Sequence, residues 1–182
     1  PMEISQGGGI FRSANIPYDS KDDKAIKKQN EQVMKAFGMQ HGANHTEFIK
    51  CNDDGKIYFL ETSSRVGGAH LAEMVEAASG VNLWSEWAKI EDSLVKGKEY
   101  KLPKINKGFA GIVLTLSKFE HPDLSGFNDS EVCFRVPLEY HAGLIVKSDN
   151  HARVRELLDD YAERLVRDFA TVAQQEAVKK LH

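Results

Sequence analysis

The sequence predicts an α+β fold: an antiparallel sheet flanked by helices, followed by a small α/β C-terminal lobe. Three observations carry this. Two runs rich in aromatic and β-branched residues flank the turn signal Asn52-Asp53-Asp54-Gly55, the pattern of a hairpin. Apolar residues at helical spacing precede and follow it. A charged connector containing Pro103 then separates it from a second set of strands and a long amphipathic stretch. A chain of 182 residues suffices for one compact domain or two small lobes. The boundary falls in the connector, giving segments 1–106 and 107–182.

In chain order, Gly7-Gly8-Gly9 opens the way to a short strand at Ile10 to Ser13, and Pro17 interrupts it. Ser20 with Asp23 makes a capping-box-like helix start. Ile26, Val33, Met34 and Phe37 then predict a helix over 22–37, stopped by Gly38. Strands are expected at 44–51 and 56–62. A three-residue loop, Asp53-Asp54-Gly55, suits a type I turn followed by a left-handed glycine. It would pair Asn52 with Lys56 and keep position sums constant, setting Glu47 opposite Glu61. A two-residue loop at Asp54-Gly55 would put Thr62 there instead; the longer loop is preferred. A helix over 69–79 presents Leu71, Met74, Val75 and Ala78, and Gly80 stops it. Asn82 caps another through 95, with Leu83, Trp84, Trp87, Ile90 and Leu94 inward. Past the connector at 96–107, strands are expected at 109–116, 131–138 and 142–146, with a polar loop over 121–129. The last helix starts at Asn150 and carries Val154, Leu157, Leu158, Tyr161, Leu165, Val166, Phe169 and Val172. That stripe fits either packing within the chain or a homodimer.

Composition narrows the function. Hydrophobic residues at 41% and charged residues at 28% are ordinary for a globular chain, which argues against wholesale disorder. Lys+Arg 24 against Asp+Glu 27 leaves a net charge of -3, without the broad basic surface a nucleic-acid binder uses. No apolar run reaches the roughly 18–20 residues that span a bilayer, and no charged-then-apolar leader opens the chain. Cys51 and Cys133 lie in strand-like apolar runs and read as reduced packing residues of a cytoplasmic protein. Neither has the electropositive flank that activates a thiol. His41, His121, His141 and His151 lack zinc-site spacing, and Asp53-Asp54 is turn chemistry rather than a calcium loop.

Two glutamates facing each other across a hairpin repel. Beside Phe48, Ile49, Phe59 and Leu60 the pair is expected partly out of water, where repulsion grows. A shared proton, a cation such as Arg65, or a divalent metal would relieve it. Spacing alone leaves a solvent-facing glutamate equally open. Glu61 is followed by Ser63, Arg65 and the glycines Gly67-Gly68 before a helix. A hard-cation ligand, an arginine and a helix start in that order suit a polyphosphate or acyl phosphate.

The segment from Gly42 to Ile49 (Gly-Ala-Asn-His-Thr-Glu-Phe-Ile), with that from Lys56 to Gly68 (Lys-Ile-Tyr-Phe-Leu-Glu-Thr-Ser-Ser-Arg-Val-Gly-Gly), resembles the metal-binding half of the ATP-grasp superfamily. The likeness is to its biotin carboxylase and L-amino-acid ligase branch. The resemblance implies the C-terminal half of an ATP-grasp fold and an ATP-dependent ligase that joins a carboxylate to an amine through an acyl phosphate. It implies Glu47 and Glu61 as ligands of Mg²⁺ or Mn²⁺ bridging the ATP phosphates, and Arg65 as the phosphate-binding, catalytic arginine. Ser63, standing where the family has asparagine, is a shorter and weaker metal ligand. Gly67, Gly68 and His70 line the substrate side; His45 lies two residues before Glu47 and neighbours the site. The family's nucleotide-gripping lysines and glycine-rich flap lie upstream of such a hairpin, and nothing before Ser20 supplies them. The chain is therefore expected to be the C-terminal piece of a longer ligase, inactive alone. A non-catalytic module that retains the fold is the alternative.

Overall fold

A computed structural model describes residues 9–171. Ten elements follow one another: β1 (Phe11–Ala14), α1 (Lys21–Ala36), β2 (His45–Lys50), β3 (Ile57–Ser63), α2 (Leu71–Ser79), α3 (Leu83–Val95), β4 (Phe109–Leu116), β5 (Val132–Arg135), β6 (His141–Ser148) and α4 (His151–Asp168). This is the expected α+β architecture, with a four-stranded antiparallel sheet and a separate hairpin. Val172, expected on the last helix, lies outside the described residues.

The chain divides into two compact units. One joins the residues up to Asn15 with those from Gly108 onward, and the other is 16–107. The division therefore falls between Lys107 and Gly108, and β1 goes with the later strands rather than with the hairpin. The reason is pairing: β1 lies antiparallel to β4, Phe11 opposite Leu114 and Ala14 opposite Gly111. Asn15 extends the match, its side chain accepting from the Ala110 amide and donating to the Gly108 carbonyl.

In this sheet unit the strand order is β1-β4-β6-β5. The central strands β4 and β6 are near-continuous apolar runs, and α4 lays Val154, Leu157, Leu158, Tyr161 and Leu165 onto Val113, Leu144 and Val146. Gly111 permits the close approach: a Cβ there would stand 2.5 Å from Leu158 Cδ1. The loop before β5 is tied down by Arg153, which reaches Asp129 and Glu131 at 2.9 Å each, and by the Tyr161 hydroxyl, which donates to Asp129. Strand β5 ends at Arg135, sooner than expected, while β6 starts one residue earlier and runs two further. Cys133 is exposed on β5 rather than packed, and both cysteines are unpaired.

In the hairpin unit, Ser20 caps α1 by accepting from the Asp23 amide. Gly38 ends it with φ +68, and Met39 N–H bonds back to Met34 C=O. Neither α1 nor α3 buries a residue completely: Ile26, Val33 and Met34 on α1, and Leu83, Trp87 and Ile90 of the inward stripe expected on α3, are half-buried. Phe37 is 67% exposed, and Trp84 and Leu94, expected to face inward on α3, are 52% and 44% exposed. Trp84 and Trp87 stack on each other instead. A cavity of about 210 Å³ opens among Asn44, Val66, Trp87, Ile90, Tyr100 and Leu102. Among the described residues, no helix is long and apolar enough to cross a membrane.

Candidate active site

The hairpin tip differs from the expected one. Cys51 N–H donates to Lys56 C=O and Gly55 N–H to Cys51 C=O, closing a four-residue loop, Asn52 to Gly55. Asn52 therefore does not pair with Lys56. The Asp54 carboxylate accepts from the Lys56 amide and the Tyr58 hydroxyl, which stabilises the longer turn and lowers the Asp54 pKa. From this tip the ladder runs Lys50 to Ile57, Ile49 to Tyr58 and Phe48 to Phe59. Continued unbroken, it would set Glu47 against Leu60. A bulge between Glu47 and Phe48 leaves Leu60 as the extra residue and restores the pairs Glu47–Glu61, Thr46–Thr62 and His45–Ser63. The two carboxylates do face each other, by a different turn and a compensating bulge.

Pairing and alternation put His45, Glu47, Glu61 and Ser63 on one face of the hairpin, joined toward the tip by the Ile49–Tyr58 pair. The opposite face carries Thr46 and Thr62, whose hydroxyls lie 2.8 Å apart. Thr46 donates onward to Asn44 Oδ1, so Thr62 is the donor to Thr46. Phe48 and Phe59 meet edge to face on that side, and Phe59 also touches Phe37 of α1. Glu47 is half-buried and Glu61 exposed. The expected apolar shielding is thin, since Ile49, Tyr58, Phe59 and Leu60 are 43–52% exposed. A two-stranded sheet has no further strand to cover them.

After Ser63 the chain turns tightly, Arg65 N–H bonding to Ser63 C=O. The Arg65 guanidinium is exposed and donates to the Val66 carbonyl. Among the described residues no ion pair joins it, or any other cation, to Glu47 or Glu61, so the arginine does not neutralise the pair. Gly67 lies against the carboxylate face: a Cβ there would stand 3.5 Å from the His45 ring. Neither Gly67 nor Gly68 has a positive φ. The left-handed residues are the next two, Ala69 at φ +52 and His70 at +58. Helix α2 therefore starts at Leu71, later than expected, and His70 is its N-cap without a side-chain capping bond. Non-glycine residues held in this region cost about 1–2 kcal/mol each.

The structure thus brings Glu47, Glu61, Ser63, His45 and Gly67 together on one face or against it, and places Arg65, Gly68 and His70 on the turn that follows. The sequence reading missed the Ile49–Tyr58 platform. Its signal was available: Ile49 stands two residues after Glu47 and so shares its face. The reading also missed the strain at Ala69-His70. A convergent set of three metal-capable side chains among the described residues, Glu120, His121 and Glu139, is exposed and belongs to the other unit. The hairpin face supplies two opposed carboxylates and a hydroxyl, oxygen donors that suit a hard divalent cation, beside the His45 ring. Among the described residues no ion pair engages either carboxylate, so the donor set fits such an ion.

The fold is that of the C-terminal part of ATP-grasp proteins. The chain superposes on an L-amino acid ligase from Bacillus licheniformis (TM-score 0.63, 17% identity, 91% of this chain and 44% of that one). It is also similar to phosphoribosylglycinamide synthetase from Anaerococcus prevotii (TM-score 0.53, 18% identity, 90% and 45%). A third similar structure is the biotin carboxylase domain of a single-chain bacterial carboxylase (TM-score 0.52, 15% identity, 88% and 40%). The chain therefore spans less than half the length of each. No family model matches the sequence, and no curated protein matches it significantly.

Proposed function

We propose that this chain is the metal- and phosphate-binding part of an ATP-dependent ligase, cytoplasmic, that joins a small carboxylate to an amine through an acyl phosphate. The observation that carries the reading is the direct opposition of Glu47 and Glu61, with no ion pair to either among the described residues. Glu47 and Glu61 would hold Mg²⁺ or Mn²⁺, with Ser63 a weak third oxygen. The ion supplies charge neutralisation of the ATP phosphates. Arg65, exposed and donating to its neighbour's carbonyl, can swing toward a phosphoryl group and stabilise charge as it develops. The half-exposed Ile49–Tyr58 pair offers an apolar platform beside the carboxylates for the nucleotide base. Gly67 and Gly68 leave the substrate side open to close backbone approach, and His70 borders it. Positioning and electrostatics supply the acceleration in such transfers.

Titration with Mn²⁺, followed by electron paramagnetic resonance, tests the site. Glu47→Gln and Glu61→Gln are each expected to weaken binding about tenfold or more, equivalent to about 1.4 kcal/mol. Unchanged binding in both variants overturns the reading and favours a non-catalytic assembly module, the alternative to which the Ser63 replacement points. The isolated 182-residue chain is expected to release no ADP from ATP with carboxylate and amine present; measurable release would show that it needs no other part.

A further inference from the structure

The cavity of about 210 Å³ lies wholly within the hairpin unit, walled by α3, by the connector after it and by the residues just before β2. None of the residues assigned above to metal, phosphate or substrate lines it. Its walls are held in place. Val66 is 2% exposed. The Trp87 ring stacks on Trp84, and its Nε1–H donates to Glu91 at 3.0 Å. The Tyr100 hydroxyl donates to Glu86 at 2.7 Å, tying the connector to α3. Ile90 and Leu102 add to an apolar lining. Fixed walls cost an incoming ligand little reorganisation, and their atoms lack contact partners on the open side until one enters.

Size and polarity select the ligand. An apolar cavity of roughly 150 Å³ takes up benzene, whereas drug-sized molecules fill clefts of roughly 300–1,000 Å³. A volume of about 210 Å³ therefore suits one aromatic ring with small substituents and is too small for a nucleotide. Charge in the lining is already balanced. Its one carboxylate, Glu86, accepts from Lys89 at 2.6 Å and from Tyr100, which together hold its pKa low. An ionised ligand would find no unpaired charge there and would lose its hydration. Hydrogen-bonding capacity remains, however. The Tyr100 oxygen donates its proton to Glu86 and keeps lone pairs with which to accept. Asn44 uses its Oδ1 for Thr46, and among the described residues its amide nitrogen has no hydrogen-bond partner. We infer that this cavity binds a small neutral phenol, its ring against Trp87 and Ile90 and its hydroxyl bonded to Tyr100 and Asn44. The inference stands on the cavity alone and does not need the ligase reading.

Titration of the isotope-labelled 182-residue chain with p-cresol, followed by amide and indole NMR shifts, tests it. Shifts are expected at Ala43, Val66, Tyr100 and the Trp87 indole N–H, half-complete at on the order of 1 mM. Toluene has the same ring and methyl group without the hydroxyl, and benzoate carries a charge. Each is expected to bind at least about fivefold more weakly than p-cresol. Tyr100→Phe is expected to bring p-cresol down to the level of toluene while leaving toluene unchanged. Ala43→Leu, which narrows the cavity, is expected to weaken both. Shifts absent up to about 10 mM overturn the inference. So do shifts confined to the exposed Phe37 and Phe59 rings, equal affinity for p-cresol and toluene, or undiminished binding in Ala43→Leu. A Tyr100→Phe variant that loses toluene along with p-cresol overturns it too, since the tyrosine would then only brace the wall.

Discussion

Among the described residues, sixteen of the twenty buried hydrophobic ones belong to the sheet unit and four to the hairpin unit, although the latter holds half the chain. In the sheet unit, β4 and β6 are apolar on both faces and α4 covers one of them, so side chains such as Leu144 and Tyr161 lose all solvent contact. In the hairpin unit, α2 buries Ala72, Met74, Ala78 and Ser79, but the apolar stripes of α1 and α3 stay at best half-buried. Patterning alone does not make a core; a stripe stabilises only once another surface excludes water from it. The unit that carries the candidate chemistry is the one whose own packing holds it least.

The sharpest test of that contrast is a pair of truncations. Leu144→Ala is expected to destabilise the sheet unit by about 3 kcal/mol, the usual loss for a fully enclosed leucine. Phe59→Ala, removing a larger side chain from the hairpin, is expected to cost under about 1 kcal/mol, because nearly half of that ring already meets water. Denaturant unfolding of each variant measures both, and equal losses would erase the distinction. Next in size is Ala69→Gly, which relieves left-handed strain and is expected to stabilise the hairpin unit by about 0.5–1 kcal/mol. A fall in stability instead would show that the methyl group is packed rather than strained.

The smallest effect concerns pH. Burial, and then the hydrogen bond to Glu86, pushes Tyr100 up to about 12. A group whose folded pKa is raised stabilises fully below its unfolded value near 10 and loses that contribution as pH climbs toward 12. Melts of the hairpin unit are expected to weaken between those values. In Tyr100→Phe the slope should flatten, leaving the sheet unit as the reference.

Much of the architecture was legible in the sequence because its signals are local. Ser20 and Asn82 name helix starts, Gly38 and Gly80 name stops, and Asp53-Asp54-Gly55 marks the reversal. The opposition of Glu47 and Glu61 was reached through a loop one residue too short, and the bulge at Leu60 cancelled the error. The pairing of β1 with β4 was not legible, since strands almost a hundred residues apart carry no mark of each other. Nor was the exposure of Phe37 and Trp84, because helical spacing says which face is apolar and not what lies upon it. At the site, Gly67-Gly68 drew attention to themselves, while the unusual backbone sits on Ala69 and His70, residue types that give no warning of it.

The bulge at Leu60 divides the hairpin into two ladders whose registers differ by one. Tip and root are thereby mechanically uncoupled. A lineage could lengthen, shorten or reshape the reversal around Asp54 and re-register the outer rungs, while the rung bearing the acids stayed where it was.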